Sequence, residues 1–284
     1  MINMESIKKY AYEKHIGSKL LRVLVWASVA VCLMTIISIV GYIVVKGVPN
    51  LKPSLFSWEY NSENVSMLPA LLNTLEMTAL TLLIAVPTGV FSAVYMSEYA
   101  KRGSIFVQIV RMTSETLQGI PSIVYGLFGY ILFVLTFGWQ YSMISGIFTL
   151  SIMILPLIIR TTEEALLSVP DSYREGSLGL GAGKLRTVFR VVLPNALQGI
   201  FAGIILAMGR VVGESAALIY TSGTGTNFTG RLTNSSRTLA VHLYCLYNEG
   251  FYTDEAYSTA FVLLIIVVGI NALSSFVAKK LTRK

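Results

Sequence analysis

Arg210 and Glu214 stand near the middle of an otherwise apolar run from Asn195 to Tyr220. An arginine at that depth in lipid costs roughly 2.5–3.5 kcal/mol even on insertion scales, so the pair needs protein or water around it. Four residues apart on a helix, the two side chains share a face and lie within salt-bridge reach. Gly209 and Gly213 sit beside them on a ridge that Gly199 and Gly203 begin, and small residues at that spacing let another helix pack close. Two roles fit. In one, the charges neutralise each other and hold two helices in register. In the other, Arg210 is a fixed positive charge that meets an anion crossing the membrane, while Glu214 orients it or holds it when the anion is absent. A guanidinium presents a planar fork of donors matched to an oxyanion.

A second constellation lies in Glu175 to Pro194, EGSLGLGAGKLRTVFRVVLP, the longest water-compatible run in the middle of the chain. Leu178, Leu180, Leu185, Val188, Phe189 and Val192 are too sparse for a bilayer span, and Arg174, Lys184, Arg186 and Arg190 punctuate them. The pattern predicts a short amphipathic helical hairpin, bent at Gly179, Gly181 and Gly183, with an apolar face for a partner. Small residues at 176 and 177 let a partner's backbone approach, and Pro194 suits the first turn of the next helix. On these residues alone, a helix lying on lipid headgroups fits equally well. Gly181, Gly183 and Lys184 imitate a phosphate-cradling loop, but Leu178 and Leu185 stand where that motif needs Gly and Ser or Thr. Nucleotide binding is not expected of this chain.

The elements that position these residues follow from hydropathy. With 54% hydrophobic and 13% charged residues among 284, the chain belongs to the membrane class. Apolar runs predict six spans: Val23 to Val45, Leu68 to Met96, Ile120 to Phe137, Tyr141 to Ile159, Asn195 to Tyr220, and Ala256 to Val277. The first is too long for a signal peptide and reads as a retained span after a tail of residues 1–22. An all-α domain over 23–284, with 160–194 as its central loop, is therefore expected. Most of the 22 Lys and Arg fall in the amino-terminal tail, the Ser97 to Arg111 segment (Lys101, Arg102, Arg111), the 160–194 loop and the last residues (Lys279, Lys280, Arg283, Lys284). The other side holds only Lys46, Lys52, Arg231 and Arg237. The positive-inside rule then places both termini and the loop in the cytoplasm, and the net charge of +7 reflects orientation rather than nucleic-acid binding.

Gly119-Ile120-Pro121 and Pro156 predict bends, which at membrane depth are tolerated beside a pathway or simply as a helix start and a packing kink. The segment from Thr221 to Glu255 is flexible first and amphipathic from Leu239 to Tyr247, and is expected to fold back on the membrane surface or into the mouth of a pathway. Glu76 and Glu115 read as snorkelling or locally paired carboxylates, and Glu163 with Glu164 as a solvated start of the loop. His15 and His242 lie outside the spans and read as incidental. Cys32 and Cys245 are too differently placed for a disulfide, and no His or Cys spacing suggests a metal.

Glu175, Gly176, Ser177, Gly181, Val191, Leu193 and Pro194 occupy the places of E-A-A, three residues, G, nine residues, I-x-L-P, so the loop resembles the coupling loop of ABC-transporter permeases. Gly and Ser replace the two Ala, and Val replaces Ile. GRVVGESAAL is similar to the Arg-x-x-x-Glu segment of phosphate permeases, GIPSIVYGLFG at 119–129 to another of their signatures, and LAVHLY at 239–244 to L-P-V-x-I-Y of the A-type subunit, with Ala240 for the proline. The similarity runs from about residue 20 to the end.

This resemblance implies a type I importer fold in a bacterial or archaeal cytoplasmic membrane. It implies a heterodimer with a second phosphate permease subunit, two ATPase subunits that bind ATP and magnesium, and an extracytoplasmic phosphate-binding protein. This chain would bind no cofactor and act as a transport subunit rather than an enzyme. A permease for sulfate or molybdate, or a proton-coupled transporter using Arg210 and Glu214 as a relay, are the alternatives. The physics of one arginine does not separate tetrahedral anions.

Overall fold

The computed structural model describes residues 4–101, 103–228 and 230–282, with side chains from 17 to 276 inside those ranges. Arg102, Arg283 and Lys284, and the side chains of Lys8, Lys9, Lys14, His15, Lys279 and Lys280, lie outside the described residues.

Every regular element among the described residues is helical. Five helices are long and apolar enough to cross a membrane: Gly17–Gly47, Leu68–Tyr99, Met143–Leu167, Lys184–Val212 and Thr253–Phe276. The first belongs to α1 (Met4–Gly47), which runs through residue 22 without interruption. The second is α2 (Leu68–Val94), ending in a wide π turn at Tyr95–Tyr99.

A sixth crossing is bent. Helix α3 (Ile105–Gln118) and α4 (Ser122–Gly129, continued by a π turn through Thr136) meet at 105° across residues 119–121. The sequence predicts a span at 120–137, bent or begun at Gly119-Ile120-Pro121, after a charged connection up to Arg111, whereas residues 105–118 form an amphipathic helix. It buries Val107 and Ser114 and exposes Ile105, Phe106, Ile109 and Met112. The bend falls at Pro121, which has no N–H to donate and disfavours helical geometry at the residue before it. Pro156 causes no such break: α5 (Met143–Leu167) continues through it, and the Gln118 amide donates to the Pro156 carbonyl at 3.3 Å.

The chain then forms α6 (Asp171–Gly179), α7 (Lys184–Thr187), a π turn at Val188–Val192 and α8 (Leu193–Val212), with Pro194 in the first turn of α8 as expected. Here the sequence is corrected a second time. The run read as one span to Tyr220 stops at Gly213 and restarts as α9 (Ala216–Thr221). Helices α10 (Leu239–Glu249) and α11 (Thr253–Thr282) complete the chain. The Thr238 hydroxyl caps α10, and Gly250, at φ 74°, ends it in the left-handed conformation that glycine adopts without strain.

Helices α2, α5 and α8 make the centre, joined by Met77, Leu150, Ile154, Ile158, Ala207 and Val211. A separate apolar cluster of Val94, Met96, Ile159, Leu166, Val188 and Val192 lies at the end that carries α6 and α7. Helix α1 packs against α11, with the Tyr42 and Tyr257 hydroxyls 3.2 Å apart, and leaves its other apolar flanks exposed, as lipid contact requires.

The short helices α4 and α9 pack together through Gly126. A Cβ built on it would lie 2.8 Å from the Ala217 Cα, a backbone atom that cannot swing away. Gly126→Val is expected to force the pair apart and cost about 1–3 kcal/mol, read as a lower unfolding midpoint of the detergent-solubilised protein. An unchanged midpoint would contradict this packing.

Candidate functional site

The two breaks, at residues 119–121 and 213–215, each immediately precede one of the two packed helices, α4 and α9, whose contacts Gly126–Ala217 and Gly129–Thr221 run in the same direction. Arg210 occupies the last turn of α8, where unpaired carbonyls favour a cation. It is half-buried and within electrostatic range of Tyr125 on α4. The Tyr125 hydroxyl donates to the Leu117 carbonyl at 2.8 Å and so bridges the α3–α4 break.

Glu214 lies inside the second break rather than on the helix. Its side chain is buried, at 8% exposed, and Oε1 accepts from the Ala217 N–H at 3.2 Å, which caps α9. Among the described residues, Arg210 and Glu214 form no ion pair. The four-residue rule required a continuous helix, and Gly213 ends it. The two charges are therefore near in sequence but differently employed: the carboxylate holds a helix start and the guanidinium has no carboxylate partner among the described residues.

The glycine ridge is likewise divided. Cβ atoms on Gly199 and Gly203 would run into Ala165 and Thr161 of α5, so these two glycines serve packing within the chain. Gly209 faces Asn271 of α11 at ordinary distance, and Gly213 is exposed. Gly213 and Ser215 open onto an apolar groove of about 410 Å³, shared with Ala240, Leu243, Tyr244 and Tyr257.

At the other end, the loop forms the hairpin that its glycines suggested. Helix α6 ends at Gly179, Gly181 turns with φ 83°, and Gly183 precedes α7. Glu175, Gly176, Gly181 and Pro194 are exposed, and Val191 and Leu193 are half-buried. Ser177 bonds to the Thr187 hydroxyl at 2.9 Å, tying α6 to α7. Leu178, Leu180, Leu185 and Phe189 are exposed, so the hairpin presents apolar side chains outward.

Several polar residues have roles that spacing did not reveal. Glu163, read as solvated, is buried and accepts from Arg111 Nη2 at 2.6 Å and Nε at 2.9 Å, joining α5 to α3. Glu164 and Glu115 do remain exposed, each beside Arg160. One carboxylate oxygen of Glu76 is buried without a hydrogen-bond partner among the described residues. Arg174 reaches Glu98 at 2.6 Å, and that hydrogen bond raises the guanidinium's pKa further.

At the opposite end, Arg237 is 3% exposed and stacks over the Tyr60 ring at 4.5 Å, and His242 is fully buried beside it. Burial first, and the Arg237 charge second, hold the His242 pKa at about 3. His242 is thus a neutral core residue, and its stabilising contribution is complete above its unfolded pKa near 6.5 and lost as pH falls toward 3. Lowering the pH from 7.5 to 5 should remove about 2 kcal/mol through this group. Thermal unfolding at the two pH values checks it, because His242→Phe should flatten that slope. The amphipathic period of α10 was the only hint of this burial.

Residues 85–284 match the family model described as the binding-protein-dependent transport system inner membrane component. The chain is 34% identical over 280 residues to the probable ABC transporter permease protein YqgI of Bacillus subtilis, covering 89% of this chain and 93% of that protein. It is 31% identical over 269 residues to the phosphate transport system permease protein PstA of Haemophilus influenzae, covering 92% and 93%. Among solved structures, a chain of a bacterial ABC transporter involved in the import of the acidic polysaccharide alginate superposes with a TM-score of 0.66 at 14% identity, covering 97% of this chain and 99% of that one. That likeness establishes the fold. The bent third crossing, the interrupted fifth and the exposed hairpin thus belong to a type I ABC importer permease, and the chain is a member of the inner membrane component family of binding-protein-dependent transport systems.

Proposed function

We propose that the chain is the A-type permease subunit of an ATP-driven phosphate importer. The observation that carries this reading is the similarity over nearly the whole chain to phosphate permeases, 33% over 272 residues to PstA 2 of Mycobacterium bovis, together with Arg210 at a helix break without a carboxylate partner among the described residues. A phosphate arriving between this subunit and a second permease subunit meets that guanidinium, whose fork of N–H groups donates to two of its oxygens. Glu214 does not neutralise Arg210. It fixes the start of α9, so the break keeps its shape while the spans re-pack.

The loop from 160 to 194 faces the cytoplasm with both termini, and its apolar hairpin docks on an ATPase subunit. Glu175, Gly176, Ser177, Gly181, Val191, Leu193 and Pro194 shape that docking surface. ATP and magnesium, held by two ATPase subunits, supply the closing force. This chain's contribution is to convert movement of the hairpin into opposite packings of its spans, facing first an external phosphate-binding protein and then the cytoplasm.

Uptake of labelled phosphate and of labelled sulfate, each into vesicles carrying the assembled complex and its binding protein, tests the substrate. Phosphate uptake that a tenfold excess of sulfate leaves unchanged is expected. Sulfate uptake alone would keep the transporter class and correct the substrate.

A further inference from the structure

We propose that Arg174 is the positioning residue that carries motion of the α6–α7 hairpin into α2, through a clasp on Glu98. The inference rests on the coupling role proposed above and names the contact through which that role acts. Glu98 lies in the π turn that ends α2, and Arg174 on α6 meets it through Nη2 at 2.6 Å and Nε at 3.2 Å. The two side chains are 7% and 17% exposed. The same guanidinium donates to the Leu166 carbonyl at 2.9 Å and the Val169 carbonyl at 2.7 Å, where α5 ends. Carbonyls at a helix end lack intrahelical partners, so Arg174 satisfies them while holding Glu98. One planar group thereby joins α2, α5 and α6.

The surrounding contacts are of a different kind. The backbone already links the hairpin to α5 and α8, but α2 is remote in sequence. Val188 and Val192 meet Val94 and Met96 through apolar surface, which has no directional preference. Lys184 lies over the Tyr99 ring at 5.1 Å. Beside the clasp, a cavity of about 650 Å³ opens between α6–α7 and the segment that includes Lys101, Ser104 and Gln108. The directional link from hairpin to α2 is therefore concentrated at one hydrogen-bonded pair. A half-buried pair of this geometry transmits both push and pull: Arg174 keeps a second carboxylate, Asp171 Oδ1 at 3.2 Å on its own helix, but displacing the two residues leaves Glu98 without its guanidinium.

The test uses the complete complex in vesicles, with Arg174→Gln, Glu98→Gln and Arg174→Lys measured for co-purification, ATP hydrolysis and phosphate uptake. Both glutamine variants should assemble and hydrolyse ATP, yet import about threefold to thirtyfold less phosphate per ATP. Arg174→Lys keeps the charge and should recover part of the ratio. A merely structural contact would lower assembly, hydrolysis and uptake together. Proportional loss, unchanged transport, or failure of both glutamine variants to assemble would each overturn the proposal. If only Arg174→Gln fails to assemble, Glu98→Gln decides, since it leaves α6 untouched: a normal ratio there overturns the clasp and a reduced one supports it. Wild-type uptake that needs no ATP would instead strike the coupling role itself, an outcome separate from any of these.

Discussion

Arg210→Gln should reduce phosphate uptake by about 100-fold or more while leaving the amount of protein in the membrane unchanged. Losing one member of a desolvated, hydrogen-bonded charge contact costs about 2–5 kcal/mol, and 3 kcal/mol is already two orders of magnitude. Membrane levels should hold because Arg210 is half-buried and has no ion-pair partner among the described residues, so its removal strands none of their carboxylates. Arg210→Lys keeps the charge but loses the planar fork, and an intermediate rate is expected. Uptake by initial rate, with the protein quantified in the same vesicles, checks both. A normal rate for Arg210→Gln would remove the residue from the mechanism. Glu214→Gln provides the contrast: an amide oxygen can still accept from the Ala217 N–H, so most activity should survive.

Gly181→Val should release the ATPase subunits. Gly181 holds φ 83° with nothing near a built Cβ, so the cost is not a clash within the chain. A β-branched residue in the left-handed region costs about 1–2 kcal/mol, and it also projects from the exposed turn of the hairpin. Together these should lower co-purification of the ATPases by about tenfold or more, with uptake falling in parallel. Gly181→Asn separates the two causes, because asparagine tolerates that backbone and adds only modest bulk. Retained association in Gly181→Val would move the docking surface elsewhere.

The hairpin was legible before the fold because its information is local: glycines at 179, 181 and 183, sparse leucines and a proline at 194. The long apolar helices were legible for the same reason. The break at 213–215 was not, since apolar residues lie on both sides and hydropathy does not register where a helix stops. Reading Arg210 and Glu214 as neighbours on one helix followed directly from that omission. Helix α3 was hidden by its charges, because an amphipathic helix at the membrane edge reads as a connection. The pairs Arg111–Glu163 and Arg174–Glu98 join residues 52 and 76 positions apart, a separation at which spacing carries no signal. His242 had no polar partner pattern to betray it, only the apolar face of α10.

The most direct test of the account is ATP-dependent uptake of labelled phosphate into vesicles carrying this chain with its permease partner, the ATPase subunits and the binding protein. Uptake that stops without ATP and persists when a proton uncoupler is added is the expected result. Uptake that proceeds without ATP and collapses with the uncoupler would contradict it.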